Sequence, residues 1–359
     1  MSVSQFGGGN RRRVTMRVIA ERVGVHVSTV SRALRADPAG NMSEVSAEVV
    51  ERIRVVAGQL GYRPDPYAAS LTTRRTRAIG VLVPQLTDVV LATIYQGIDE
   101  YAIEHGYQTL VANTHDDRQE RQERVELMLS RRVDGLILGD ANIDGAFLRE
   151  LAAVEIIPFI LVNRRAEGHV SVTCDDVTGG RMAGEHLAEL GHQHVGIVAG
   201  LPWASTGIDR SRGCQEALAE RGIVVSADYM LHSTFDAEGG RRAGEQLLDL
   251  DPRPTAIFAV NDYTALGVMG AARTRGLRVG EDLAVVGFND ITIARDLPVP
   301  LTTLSNPLNA MGRSAAHLLL EILSGNTVQS VRLEPTLAVR DSTVPSDAPP
   351  PYRGIATRA

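Results

Sequence analysis

The sequence predicts a multi-domain chain: a small all-α helix-turn-helix unit, then an α/β core of two parallel-sheet subdomains. Three observations carry this. The chain has 359 residues, more than one hydrophobic core ordinarily covers. Its charge is split: residues 1–77 hold 13 Arg and no Lys against six acids (Glu21, Asp37, Glu44, Glu48, Glu51, Asp65), a net of +7 that leaves −13 for the rest of a chain whose total is −6. From Ala78 onward, short apolar runs alternate with segments of helical periodicity, the pattern of parallel α/β sheets.

A composition of 44% hydrophobic and 22% charged residues excludes collagen-like, coiled-coil and disordered classes for most of the length. The longest apolar runs, Ala256 to Val260 and Ile156 to Val162, are too short to span a membrane, and no charged-then-apolar leader opens the chain. A cytoplasmic protein without a membrane partner is expected. Cys174 and Cys214 have neither CxxC nor zinc spacing and read as buried thiols. A basic front on an acidic body suits a polyanion-binding module joined to a domain with another task.

Residues 1–13, with Gly7 to Gly9 and Arg11 to Arg13, read as a flexible basic arm. In residues 14–63, Thr15 can cap a helix whose Ile19, Ala20 and Val23 share one face, and Gly24 ends it with a left-handed residue. From Val27 to Leu34 a second helix turns Val30, Ala33 and Leu34 inward and leaves Ser28, Thr29, Ser31 and Arg32 outside. Ser46 as cap, then Val49, Ile53, Val56, Ala57 and Leu60 before Gly61, mark a third helix. This is a helix-turn-helix whose second helix carries small polar residues and one Arg. Residues 64–77, with Pro64, Pro66 and the run Thr72 to Arg77, have a linker's composition.

In the core, strands are expected at Ile79 to Val83, Thr109 to Ala112, Leu136 to Leu138, Pro158 to Val162, Val195 to Val198, Ala256 to Val260 and Leu283 to Val286. Polar residues gather at their carboxyl ends: Gln85, Asp88, Asn113, Asp140, Asn163, Asn261, Asp262, Asn289 and Asp290. Ligands of such sheets bind there, and two lobes with a polar cleft suit a small-molecule receptor. Enzyme signatures are missing: no GxGxxG follows the first strand, no GxxxxGK[ST], HExxH or GxSxG occurs, and there is no Lys. No catalytic residue, cofactor or metal is therefore assigned. His192 and His194 read as turn residues without a third ligand, and Asp175 and Asp176 as a helix-capping pair.

The run VTMRVIAERVGVHVSTVSRAL, followed by LGYRPDPYAASL, resembles the headpiece and hinge of the lactose-repressor/galactose-repressor (LacI/GalR) family of bacterial transcriptional regulators. The resemblance implies that Val27, Ser28 and Arg32 read bases in the major groove, Arg32 having the chemistry for a bidentate contact to guanine. Thr15, Met16, Thr29 and Ser31 would hold phosphates or frame the groove. It further implies a hinge helix from Pro66 to Leu71, with Leu71 wedged into the minor groove and Tyr67, Ala68 and Ala69 beside it. Two departures stand out. His26, at the turn, replaces the family's usual small hydroxyl residue among the DNA contacts, and Arg35 to Ser43 is longer than usual.

The resemblance continues through RRVDGLIL, EHLAELGHQHVGIVAG, AVNDYTALGV, AVVGFNDI and LTTLSNP, covering roughly residues 14–340. It implies a periplasmic-binding-protein-like core at 78–340, crossed three times by the chain. The N-subdomain would hold about 78–163 and 293–323, the C-subdomain about 164–292 and 324–340, and 341–359 would be a flexible tail. Effector contacts carried over are Asp88, Val90, Asn163, Arg210, Phe235, Asn261 and Asn289, with Arg210 as a clamp. Where many relatives have NPFF or NPYF, this chain has Asp88 to Leu91, so Trp203 and Phe235 are expected to supply aromatic surface. Asn163 and Asn289 stand where relatives often have Asp. The implied function is a sequence-specific regulator, expected to be a repressor. It would bind a pseudopalindromic double-stranded DNA operator as a homodimer, under allosteric control by a small polar metabolite, a sugar or sugar derivative by family default. The competing class is an α/β binding protein or enzyme whose basic head serves only for attachment.

Overall fold

The computed structural model describes residues 14–35, 46–62, 75–153 and 157–344. The basic arm, the residues expected to wedge the minor groove (Tyr67, Ala68, Ala69 and Leu71) and most of the extended segment after the second helix lie outside the described residues. The chain divides into two compact units, Met1–Thr76 and Arg77–Ala359.

In the first unit, α1 (Met16–Val23), α2 (Val27–Arg35) and α3 (Ala47–Gln59) close one small core from Ile19, Ala20, Val23, Val30, Ala33, Ile53 and Ala57. Leu34, Val49, Val56 and Leu60 pack partly buried around it. Gly24, at φ 75, donates its N–H to the Ala20 carbonyl and lets the chain reverse at once into α2. Thr15 and Ser46 occupy the N-cap positions of α1 and α3, but neither side chain makes the expected cap bond. The backbone carbonyls start these helices instead: Thr15 O accepts from Val18 and Ile19, and Ser46 O from Val49 and Val50.

The second unit has two six-stranded sheets. The strands are β1 (Ala78–Val83), β2 (Gln108–Asn113), β3 (Gly135–Leu138), β4 (Phe159–Val162), β5 (Ser171–Cys174), β6 (Val195–Ala199), β7 (Met230–His232), β8 (Ala256–Ala259), β9 (Ala284–Asn289), β10 (Thr302–Ser305), β11 (Val331–Leu333) and β12 (Thr336–Ala338). The first sheet runs β11-β5-β4-β3-β1-β2, all parallel; the second runs β12-β10-β9-β8-β6-β7, parallel except for β12. Helices α4 (Val89–Glu104), α5 (Arg118–Ser130), α6 (Ala146–Ala153) and α11 (Leu308–Leu323) accompany the first sheet, and α7 (Asp176–Glu189), α8 (Ser205–Glu220), α9 (Ala237–Leu248) and α10 (Asp262–Thr274) the second. No described helix is long and apolar enough to cross a membrane. Helices α4 and α11 approach closely at Gly97 and Gly312, where an added Cβ would overlap a backbone carbonyl of the other helix.

Five strands escape the sequence pattern: β5, β7, β10, β11 and β12. They are short, and β5 and β10 are built of Ser and Thr that nevertheless lie buried. Hydrogen bonds make this burial tolerable: the Thr302 hydroxyl meets the Thr343 hydroxyl at 2.8 Å, and Thr303 Oγ1 donates to Asp262 at 2.5 Å. These strands move the lobe boundaries. Because β5 belongs to the first sheet, the first crossing follows Cys174 rather than residue 163. Because β10 belongs to the second, the return falls between Ser305 and Leu308 rather than near 293. The third falls between β11 and β12, not at 324.

The expected tail also starts later than 341. Ser342 and Thr343 are buried, with Ser342 Oγ donating to the Val285 carbonyl and accepting from Thr302 N, and Thr343 Oγ1 within 2.9 Å of His186 Nε2. The Ser342 hydroxyl thus satisfies two backbone groups, the Thr343 hydroxyl meets a side chain, and together they pin the chain there. Both cysteines are buried, and burial pushes the Cys174 thiol up to about 12.

Candidate functional site

In the first unit, Ser28, Arg32, Val27 and His26 are exposed on or beside α2, while Thr29, Ser31 and Met16 are half-buried and Thr15 is exposed ahead of α1. Arg32 Nε reaches the Ser28 carbonyl one turn back at 3.4 Å. His26 resolves the departure seen in the sequence. It directly precedes α2; its carbonyl accepts from Thr29 N at 2.9 Å, and its Nδ1 accepts from Ser28 N at 3.3 Å and lies 2.8 Å from Ser28 Oγ. The imidazole therefore does the capping that a hydroxyl does at such a position. His26→Ala is expected to destabilise the first unit by about 1 kcal/mol and His26→Ser to restore most of it; equal melting temperatures for wild type and His26→Ala would count against the cap.

In the second unit, a cleft of about 540 Å³ opens at the carboxyl ends of strands of both sheets. Asp88, Val90, Asn163, Trp203, Arg210, Phe235, Asn261 and Asn289 all line it. Three helices begin at its wall with side-chain caps: Asp88 accepts from Val90 N, Asp236 from Gly239 N, and Asn261 from Thr264 N. Both ends of the Asn261 amide are engaged, because its Nδ2 also donates one N–H to the Phe235 carbonyl at 2.9 Å. His115, Asp116, Asn163 and Asn289 stand at φ 50, 56, 66 and 107 on the same wall. A left-handed backbone disfavours most residues but is tolerated best by Asn, Asp and His, which gives a backbone reason for a short polar side chain at Asn163 and Asn289, acid or amide alike.

Arg210 is less available than a free clamp. Its Nε donates to Asp176 Oδ1 at 2.7 Å, its Nη1 donates to the Val260 carbonyl at 2.8 Å, and the guanidinium lies 3.8 Å from the centroid of the Phe288 ring. Both side chains of the ion pair are at most 5% exposed. Nη2 is the one guanidinium nitrogen without a partner among the described residues. Asp175 caps α7 by accepting from Thr178 N, as a capping pair requires, whereas Asp176 is spent on Arg210. Burial pushes the Asp176 carboxyl up to about 6 against the pull of Arg210, and Asp262 up to about 7. Burial also raises Asp88, opposed by the Val90 N–H, Arg164 and Arg210.

Sequence reasoning missed a second guanidinium in the cleft. Arg164 donates to both oxygens of Asp116, at 2.5 and 2.9 Å, and lies 5.8 Å from the centroid of Phe235. The doublet Arg164, Arg165 straight after a strand was the available signal. Conversely, four polar strand-end residues serve the scaffold. Asn113 Oδ1 accepts from Leu86 N, Asp140 holds buried Arg121 and Thr114 at 2.6 Å each, Asp262 accepts from Thr303 and Ile291, and Asp290 pairs with Arg340. His192 Nδ1 lies 2.9 Å from Thr255 Oγ1, a turn contact.

Comparison with known proteins matches this anatomy. Residues 15–65 fit the model of bacterial regulatory proteins of the lacI family, and residues 185–343 that of a periplasmic binding protein-like domain. The HTH-type transcriptional repressor CytR of Escherichia coli (strain K12) is 33% identical over 334 residues, 92% of this chain and 96% of that protein. The repressor PurR of Erwinia tasmaniensis is 31% identical over 344 residues, 94% of this chain and 98% of that protein. Among solved structures, a Lac repressor dimer bound to operator and the anti-inducer ONPF superposes with a TM-score of 0.83 at 28% identity, covering 93% of this chain and all of that one. A transcriptional regulator CelR–cellobiose complex gives 0.69 at 29% identity over 92% of this chain and all of that one. These relatives are transcription regulators, not enzymes, which removes the enzymatic alternative. With a helix-turn-helix for DNA and a core for an effector, in the same order and over nearly the whole length, this chain belongs to the LacI family of transcriptional repressors.

Proposed function

We propose that the chain is a cytoplasmic repressor that binds a pseudopalindromic operator as a homodimer, under the control of a neutral, polyhydroxylated metabolite, a sugar or sugar derivative, in the cleft. The observation that supports this ligand most is charge balance. Arg164 and Arg210 already face Asp116 and Asp176, so a ligand need bring no negative charge, and a phosphate would meet Asp88 and Asp236 on the same wall. Asn163 and the Nδ2 of Asn289 suit hydroxyls, and Trp203, Phe235 and Tyr263 offer apolar faces. The relative solved with cellobiose is in keeping with this.

Dimerisation is supported by the Lac repressor dimer among the structural neighbours and by two exposed apolar residues on adjoining elements of the first lobe, Ile103 of α4 and Leu110 of edge strand β2. A twofold axis would match a palindromic site, with Val27, Ser28 and Arg32 reading bases and, by the resemblance, paired hinges each delivering Leu71.

Selection from a random duplex pool should enrich a palindromic motif. A panel of sugars, nucleosides and sugar phosphates should raise the melting temperature only with its neutral members, by about 2.7 kcal/mol of stabilisation at a hundredfold excess over Kd. No enriched motif, or stabilisation by the phosphates alone, would overturn the respective half of the proposal.

A further inference from the structure

Behind the cleft, the two lobes of the core touch through side chains. Arg165, on the chain leaving β4 of the first lobe, meets α8 of the second: Nε donates to Asp209 Oδ2 and Nη2 to Asp209 Oδ1, each at 2.8 Å, and its backbone N donates to Ser205 Oγ at 2.9 Å. The fork geometry is the strong form of such a pair. Asp209 is 6% exposed and Arg165 32%, so the carboxylate is held out of water while the guanidinium can regain it. Ser205 is free for this contact because α8 begins after Ala204 without a side-chain cap. A separate bond joins the lobes elsewhere, from Ile143 N to the Trp203 carbonyl at 3.0 Å.

We propose that Arg165, Asp209 and Ser205 form a latch that holds the two lobes of the core in the arrangement described, and that an effector acts by biasing its making and breaking. Two features suit a latch rather than a permanent strut. Arg212 Nη2 also donates to Asp209 Oδ1, at 3.0 Å, from the same helix, so Asp209 keeps a counter-charge when Arg165 leaves and parting does not strand a buried carboxylate. The same two segments also line the cleft: Asn163 and Arg164 immediately precede Arg165, and Thr206 and Arg210 follow Ser205 and Asp209 on α8. A ligand that binds either segment more tightly in one of the two states shifts the latch, and its influence equals its differential affinity for the latched and unlatched states. Only this last step rests on the cleft being the effector site.

The test needs no ligand. In the full-length protein, Arg165→Ala removes two charge-assisted bonds, which should shift the lobe equilibrium about tenfold. Hydrogen exchange at Ile143 N–H, remote from the substituted side chain but dependent on the lobes staying together, should accelerate by the same factor. Acrylamide should also quench Trp203, the chain's single tryptophan, more strongly. Ser205→Ala should move both readouts in the same direction by less, and serves if Arg165→Ala fails to fold. Arg212→Ala leaves the interlobe bonds intact but removes the counter-charge of the parted state, so both readouts should stay at or below the wild-type level. Unchanged exchange at Ile143 in Arg165→Ala and Ser205→Ala, or an equal acceleration in Arg212→Ala, would overturn the latch. A latch that passes while no metabolite stabilises the protein would condemn the cleft reading instead.

Discussion

Arg210→Ala should destabilise the core by about 3–5 kcal/mol at alkaline pH, because it leaves a buried carboxylate without its cation. Asp176 is nearly inaccessible and has already been pushed up to about 6 with Arg210 beside it; without that guanidinium it rises further. The sign of the pH dependence follows. The unfolded state is common to both proteins and cancels from the comparison, so the variant's deficit grows as pH rises above about 6, where wild-type Asp176 ionises and the variant's does not, and shrinks below it, where both native states are protonated. The double variant Arg210→Ala with Asp176→Asn should recover much of the loss and flatten its pH dependence. Urea denaturation at pH 5 and pH 8 measures both effects; a deficit independent of pH would mean that the Phe288 contact, not the ion pair, was lost. Loss of the effector response should accompany this change, with operator affinity retained wherever the variant is folded.

Arg32→Ala should relax preference at one base pair of each half-site, at a cost of about 1–3 kcal/mol. The side chain is exposed one turn along α2 from Ser28, whose hydroxyl lies against the His26 ring. Of the two polar candidates for reading bases, Arg32 therefore carries the greater expected discrimination. Sequence selection with wild type and variant at one fixed salt concentration decides it, since salt alone alters affinity. An identical motif from both proteins would remove Arg32 from the readers and leave it among the phosphate contacts.

The cleft was unusually legible in the sequence because its position is a matter of topology. Residues after parallel strands converge at the sheet's carboxyl edge whatever their identity, and Gln85, Asp88, Asn163, Asn261 and Asn289 of the polar strand-end residues line one cavity, joined there by Val90, Trp203, Arg210 and Phe235, to which only the family resemblance pointed. Which of them remain available to a ligand was not legible. Asn261 and Asp88 are occupied as helix caps and Arg210 is held by Asp176, whereas Arg164 enters the wall with its own partner, Asp116, from 48 residues away. The polar strands β5 and β10 were hidden for the converse reason: their bonds go to partners distant in sequence, the Ser171 N–H to the Ser330 hydroxyl and the Thr302 hydroxyl to that of Thr343.

From its sequence alone this protein had a basic three-helix unit ahead of an acidic two-sheet core, since helix periodicity, strand alternation and charge are local properties of the chain. Tertiary structure decided the pairings: His26 as the cap of α2, Arg210 committed to Asp176, Arg165 reaching Asp209 in the other lobe, and Ser342 and Thr343 held at the end of the second sheet. Spacing along a chain cannot assign such partners, because a buried charge or hydroxyl must be satisfied by whatever the fold brings within about 3 Å of it.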